Sequence, residues 1–504
     1  MFSMKKQMEK LNITIMKKKV QVFGIIGLCV YCAYSLFLNW SFVADHVGGS
    51  TRKPDFLGCL AGGRPVAYIM TWIEYIAYKL LHFDFDTKQQ IYQLIVMILL
   101  SCAVYQLYGL FSQMFENRYH SLVLITVLLI GFINPYIVEA FVYKAIDYGV
   151  AMNLVCLAIR LFGRKRYFSS LVFLWMGVSL YQSYFALFLI YITAYLYMYY
   201  QGKLCKDVIF EAVKMFFITG FSVISNILWV KLFVALGIIE REVKVVDLAD
   251  ASAKSVFSDS WNAYYWAVIA CYKEMFPPYF LITIILLLIL FICMFLIKAK
   301  YHIIDIVYFI LLAVAINLYP VVIFAVAAGV HQRITWPIFS SISALMLLLF
   351  YYTHADKIKQ KLSLIMLAVF WMVNIFETST AINDFYISNK LDMFIVAQVV
   401  QKIDHYEEET GEKIQYIATD RTENRKDCYD ELNHSYDANF YGEKTISRSW
   451  SDVALIDYLA GRDYEKVPMD EKIYDTYFAG KKWDTFDVDE QIVFIGDTMY
   501  WAIY

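Results

Sequence analysis

Runs of about 20 predominantly apolar residues recur through the first three quarters of this chain, and few folds accommodate them. In hydrocarbon every backbone N–H and C=O must be satisfied within its own segment, so such runs become spanning helices. They lie at roughly 20–43, 90–112, 121–138, 148–163, 168–182, 184–200, 210–237, 279–297, 303–326, 334–353 and 362–379. Composition agrees, since 60% of the 504 residues are hydrophobic whereas a soluble chain runs at about 45–50%. The expected fold class is an α-helical polytopic membrane protein of about 11 spans.

Charge narrows the partners. A formal net charge of -2 leaves no basic footprint for DNA or RNA, so no nucleic acid is expected. Of the 46 acidic residues, 26 follow position 380, so a greasy body carries a polar tail. Residues 380–504 read as a small α/β domain with an amphipathic helix near 390–405 and strands such as 414–418 and 491–496. The nine cysteines lie mostly in apolar runs, with Cys59 and Cys428 the exceptions, and read as core or lipid-facing residues.

Orientation follows from the Lys/Arg distribution. Residues 1–19 hold Lys5, Lys6, Lys10, Lys17, Lys18 and Lys19 and read as a basic cytoplasmic N-terminus, followed by a signal-anchor span without a signal-peptide cleavage site. The stretch 65–82 decides the rest, because one span more or fewer flips every later loop. It carries Glu74, Lys79 and many Tyr and Trp, as a helix lying on the membrane would. If it does not cross, the loops with Arg118, Arg164 to Arg166, Lys203 and Lys206, Lys298 and Lys300, and Lys357 to Lys361 all fall inside. The domain reading is therefore a multispan body at 20–379 with an outer loop at 43–89 and an extracytoplasmic domain at 380–504.

Four polar constellations then share the outer face. Asp45 and Asp55 precede a Gly62-Gly63-Arg64-Pro65 turn, in which glycine permits close backbone approach and Arg64 offers a forked donor for phosphate or carboxylate. In Asn134 to Tyr148, Glu139, Tyr143 and Asp147 are spaced i, i+4 and i+8 and share one face of any helix, with Lys144 able to neutralise them. Ser179-Leu-Tyr181-Gln182-Ser-Tyr184 is a polar break inside a long apolar stretch, and Gln182 alone means little, since a lone Gln in a bundle is usually a helix-packing residue. The last is His331-Gln-Arg333-Ile-Thr-Trp-Pro, whose Arg333 is the only Arg or Lys between Lys300 and Lys357 and either binds an anion or snorkels to the headgroups. No P-loop, GxGxxG, GxSxG or HExxH motif supports ATP-driven, dehydrogenase, serine-hydrolase or zinc chemistry.

Taken in order, these segments resemble the Gtr type II serotype-converting O-antigen glucosyltransferases, membrane enzymes of GT-C character. The likeness rests on Asp45 followed by Gly63-Arg64-Pro65, on Asn134-Pro-x-x-x-Glu139-x-x-x-Tyr143-x-x-x-Asp147, on Ser179-Leu-Tyr181-Gln182, and on Arg333 before a span. One departure is that His46 follows Asp45 where the family tends to pair acids, which leaves Asp45 and Asp55 both open as the catalytic acid.

The resemblance implies transfer of a sugar, glucose by preference, from undecaprenyl phosphate to a surface polysaccharide, on the outer face of the cytoplasmic membrane of a bacterium. It implies Asp45 as general base with Asp55 in reserve, and Arg64, Arg333 and Lys144 at the donor phosphate. Glu139, Tyr143, Asp147, Tyr181, Gln182 and His331 would bind sugar or acceptor. Neither metal nor cofactor is required by a lipid monophosphate donor. A polysaccharide polymerase, a lipid-sugar flippase or a solute transporter is the alternative, although the spans carry almost no charge at their centres.

Overall fold

The computed structural model describes residues 19–34, 59, 63–81, 85–115, 121–238, 283, 285–290, 303–322, 336–353, 357–422, 428–430, 432, 444–447 and 451–504, and most of these are helical. The helices of the body are α1 (Lys19–Tyr34), α2 (Pro65–Leu81), α3 (Phe85–Phe115), α4 (Ser121–Leu129), α5 (Pro135–Gly163), α6 (Tyr167–Leu180), α7 (Phe185–Tyr199), α8 (Lys206–Ala235), α9 (Ile303–Val322), α10 (Pro337–Thr353) and α11 (Lys357–Thr410).

Helix α8 shows which solvent this body is built for. Val208, Glu211, Met215, Ser222, Asn226 and Val230 recur at helical spacing and are buried, while Phe210, Phe217, Phe221, Leu228 and Leu232 are exposed. In water that would invert the usual rule, whereas against lipid tails it is the stable arrangement. Glu211 is satisfied inside, because the Tyr167 hydroxyl donates to its carboxylate at 2.8 Å and Lys214 pairs with it at 2.8 Å. Helix α7 is buried on every side from Phe185 to Met198 and forms the centre of the bundle, packed on α6, α8 and α10. The chain is a helical membrane protein.

The eleven expected spans are not reached among the described residues. Four segments are long and apolar enough to cross: Gln90–Phe115, Ile146–Gly163, Lys206–Ala235 and Lys357–Thr410. Helices α1, α6 and α10 and the segment Ile303–Tyr319 are apolar but shorter. Only residues 283 and 285–290 of the expected span 279–297 are described. Helix α2 coincides with the ambiguous stretch, and it exposes Ile69, Ile73, Ile76 and Leu80 along one stripe while its start packs on α6.

The expected span 121–138 is corrected. Helix α4 covers nine residues, or about 13 Å, and is too short to cross alone. It ends because Asn134 and Pro135 start a new helix: the Asn134 carboxamide oxygen accepts from the Ile137 N–H at 3.0 Å and proline occupies the first turn. Carbonyls of the last turn of α4 and of the segment after it are met by distant side chains. Tyr34 donates to Phe132 O at 2.6 Å, Asn374 to Ile133 O at 2.5 Å and Trp371 to Thr126 O at 3.2 Å. The segment 134–147, expected as an outer loop, is thus mostly the first turns of α5.

A second correction concerns 362–379 and 390–405, expected as separate helices. They are one 54-residue helix, α11, which contains neither Gly nor Pro and runs until Gly411 takes a φ of 74°. Its last turns join a four-stranded sheet formed by β1 (Tyr416–Arg421), β2 (Glu465–Val467), β3 (Ile492–Ile495) and β4 (Thr498–Ile503), in the order β2-β1-β4-β3. β1 pairs in parallel with β2 and β4, whereas β3 pairs antiparallel with β4. A hydrophobic cluster of its own, with Ile403, Ile417, Leu455, Ile456 and Trp501, ties the sheet to α11 and to α12 (Asp452–Ala460). The Cys29-Val-Tyr-Cys32 spacing falls inside α1, where both thiols are free.

Three buried or half-buried carboxyls, Asp392 and Glu407 on α11 beyond its apolar stretch 362–379 and Asp457 on α12, depart from ordinary carboxyl behaviour. Burial raises Asp392 to about 6, although Tyr429 and the Thr445 N–H donate to it at 2.7 Å each. Burial also raises Asp457 to about 6, opposed by the Tyr464 N–H. For Glu407 burial acts upward too, but Arg462, Lys413 and the Ile414 N–H outweigh it and hold the carboxyl down at about 2. A carboxyl that binds its proton more tightly when folded adds stability as pH falls from about 6 toward 3.8, whereas Glu407 loses its contribution as pH falls from 4.5 toward about 2. Hydrogen-exchange protection of β1 and β4 in the full-length protein, corrected for intrinsic rates, should rise from pH 7 to about 5 and fall below about 4. Asp392→Asn should roughly halve the rise, and a steady fall from pH 7 in the unsubstituted protein would contradict the assignment.

Candidate active site

Tyr181 breaks the chain between α6 and α7 with an extended backbone (φ -153°, ψ 116°), and Gln182–Tyr184 then make a single 3₁₀ turn. This is the expected polar break, and other segments collect on it. The Gln182 amide donates to the Gly63 carbonyl at 3.3 Å, which joins it to the start of α2. Gly63 has a φ of +65°, and a Cβ there would stand 3.0 Å from that same amide, so glycine serves both the turn and the close approach. The Arg64 N–H closes the turn on Cys59 O at 2.9 Å, and the Arg64 guanidinium lies over the Tyr181 ring, 4.7 Å from its centroid. Such a cation–π contact contributes roughly 0.5–2 kcal/mol.

The second and fourth constellations reach the same place through aromatic rings. Tyr148, adjacent to Asp147, packs edge-on against Tyr181 with centroids 4.6 Å apart and against Tyr184 at 6.2 Å. Tyr184 in turn meets Trp336, the residue before α10, at 5.2 Å. Tyr148, Tyr184 and Trp336 are buried to 2% exposure or less. Asp147 is buried as well, next to Tyr148 on α5. Ser179 donates to Asn226 on α8 at 2.8 Å, which braces α6 just ahead of the break.

Four buried polar atoms around these rings have no hydrogen-bond partner among the described residues: Arg64 Nε, Ser183 Oγ, Tyr184 Oη and Trp336 Nε1. Leaving a buried donor unmet costs about 1–3 kcal/mol, so a ligand bearing acceptor oxygens would be stabilised beside these atoms. Arg64 Nε and Trp336 Nε1 can only donate, which sets the polarity of that ligand.

The structure therefore brings Arg64, Asp147, Tyr181 and Gln182 together. Glu139, Tyr143 and Lys144 lie on α5, consistent with the i, i+4, i+8 spacing that was read for Glu139, Tyr143 and Asp147, but only their backbone is described. Asp45, Asp55, His331 and Arg333 fall outside the described residues. Asn134 is a helix cap with both amide groups engaged, 3.0 Å to Ile137 N and 3.3 Å to Ile130 O. Sequence reasoning missed Tyr148, Tyr184 and Trp336 as a group. Each neighbours or lies within a motif that was singled out, but in a chain that is 18% aromatic nothing marked these three rings from the rest.

No curated protein and no solved structure matches the chain. A family model described as Glucosyl transferase GtrII matches residues 34–354, well over half of the length, and it spans all four constellations while stopping before α11. The resemblance read from the motifs and this match agree: the chain belongs to the GtrII glucosyl transferase family.

Proposed function

We propose that the protein moves a glucosyl group from a polyprenyl phosphate to a surface polysaccharide, on the outer face of a bacterial cytoplasmic membrane. The carrying observation is the convergence of Arg64, Tyr181, Gln182, Tyr184 and Trp336, from three separated segments, on one polar focus in an apolar body. A lipid-linked donor diffuses within the bilayer and suits that body, while a polar acceptor arriving from one side suits polar groups gathered at helix breaks. In this reading N-terminus and cytoplasm lie on one side, and α2 and the C-terminal region on the other.

The chemistry is a displacement at the sugar C1. A carboxylate takes the proton of an acceptor hydroxyl as its oxygen bonds to C1, the bond from C1 to the phosphate oxygen breaks, and the lipid phosphate departs with the electron pair. Asp45 is the proposed base, with Asp55 in reserve. Arg64 and Arg333, with Lys144, would stabilise the charge that grows on the leaving phosphate, and Arg64 is suited to this because its unmet Nε–H keeps one donor available. Glu139, Tyr143, Asp147, Tyr181, Gln182 and His331 would bind sugar or acceptor hydroxyls.

Three measurements test this. Impermeant labelling in intact cells should reach a cysteine placed at 450 and not one placed within 164–166, and the reverse pattern would overturn the orientation. Transfer of labelled glucose from polyprenyl phosphate in detergent should be abolished or cut by about 10–100-fold in Arg64→Lys, because a single ammonium reproduces neither the fork nor the stacking on Tyr181. Unchanged turnover in that variant would remove Arg64 from the phosphate. Asp45→Asn should lower turnover by about 10²–10⁴-fold with donor binding retained, while Asp55→Asn is milder. The opposite ranking transfers the role to Asp55, and near-normal turnover of the double variant would transfer it to Glu139 or Asp147.

A further inference from the structure

The rings at the site form a row: the Arg64 guanidinium on Tyr181 at 4.7 Å, Tyr181 against Tyr184 at 5.7 Å, and Tyr184 against Trp336 at 5.2 Å. The orphaned donors are distributed along this row and not clustered at one end, since Arg64 Nε belongs to its first member while Tyr184 Oη and Trp336 Nε1 belong to its last two. Tyr184 and Trp336 lie one and two rings beyond the Tyr181 ring that Arg64 covers, so a phosphate held at Arg64 is too compact to meet the donors at both ends of the row. A ligand that satisfies all of them carries an anionic head and, covalently attached, a ring of hydroxyl and ether oxygens.

From this we infer that Tyr184 and Trp336 bind the sugar of a glycosyl phosphate whose phosphate lies at Arg64; the inference rests on the donor proposed above. The division of labour follows from the chemistry of each group. Arg64 carries the charge that phosphate requires, whereas Trp336 and Tyr184 offer neutral donors on flat rings, the combination that suits a sugar with both polar edges and an apolar face. Ser183 Oγ, 3% exposed and also unmet, lies between Gln182 and Tyr184 on the same turn and supplies a hydroxyl that can donate or accept. Both rings are fully buried in the protein, so bulk water does not reach their polar atoms.

The test compares two lipids on the full-length protein in detergent: polyprenyl phosphate glucose and the same polyprenyl phosphate without sugar. Thermal stabilisation titrated with each lipid gives two affinities, and the unsubstituted protein should bind the sugar-bearing lipid more tightly. Tyr184→Phe and Trp336→Phe keep an aromatic ring and remove a donor, so each should weaken the glucosylated lipid by about 5–10-fold, the value of one hydrogen bond, and leave the bare lipid within about twofold. Arg64→Lys should weaken both lipids. Trp501→Phe removes an equally buried, equally unmet indole N–H in the C-terminal sheet and should change neither affinity. Without ligand, Tyr184→Phe should melt at or above the unsubstituted temperature, because an unmet hydroxyl has been removed, which separates a binding defect from misfolding. If the unsubstituted protein binds neither lipid, the donor reading fails; if it binds both and the two Phe variants retain the full preference for the glucosylated one, the donor stands and the sugar-binding assignment is overturned.

Discussion

A helix that stops inside a hydrocarbon layer leaves backbone groups that no water can reach, and each must find a partner from elsewhere in the chain. This constraint governs where the body can bend. At the end of α4 and in the turn before α5 the carbonyls of residues 126, 132 and 133 are closed by Trp371, Tyr34 and Asn374, from α1 and α11, while Asn134 caps the next helix itself. Between α6 and α7 the break at Tyr181 is held through Gln182 to the Gly63 carbonyl. A break of this kind binds distant segments together, so the interruptions in the helices serve as cross-links of the fold.

The same property makes these breaks suitable for chemistry. A continuous helix of apolar residues presents a ligand with nothing to hydrogen-bond, whereas a break presents polar side chains and free backbone groups at a fixed place. At the α6–α7 break the supporting contact engages the Gln182 amide nitrogen with the Gly63 carbonyl, and what it holds in position is Arg64 on Tyr181, beside Tyr148 and Tyr184. Asn226, in bonding Ser179, plays the supporting part from α8. Contacts that rigidify the turn are satisfied, and the atoms left unmet belong to Arg64, Ser183, Tyr184 and Trp336. That separation of supporting from unmet groups is what a preorganised binding site requires.

Much of this arrangement was legible in the residues. The apolar runs located α3, α6, α7, α8 and α10 to within a few residues, because hydrophobic content alone dictates where helices persist in lipid. The polar constellations were legible as exceptions against that background, and three of them contribute residues that meet at Tyr181 and Tyr184. The turn at 130–134 was not legible: Leu, Ile, Gly and Phe at 129–132 continue the apolar run, and only the long-range donors Tyr34 and Asn374 make a break there affordable. The continuity of α11 was hidden for a related reason. Polarity rises at 380, as at the end of a span, but Asp384, Ser388 and Asp392 are buried by packing that one helix cannot disclose.

The position of α11 bears on how the site and the C-terminal region are connected. The helix donates from Asn374 to the turn that precedes α5, and α5 carries Asp147 and Tyr148 into the aromatic row. Two turns beyond Asp384 the same helix presents Asp392 to Tyr429 and Thr445, and near its end it presents Glu407 to Arg462. Bending α11 between these points would cost several consecutive helical hydrogen bonds, because no Gly or Pro lies between residues 357 and 410 to localise a kink. The C-terminal sheet is therefore attached through a stiff element and not through a linker, and its orientation is set by the same helix that closes the turn ahead of α5. The family model matches only 34–354, so the matched body and this attachment are separable in sequence even though one helix joins them in space.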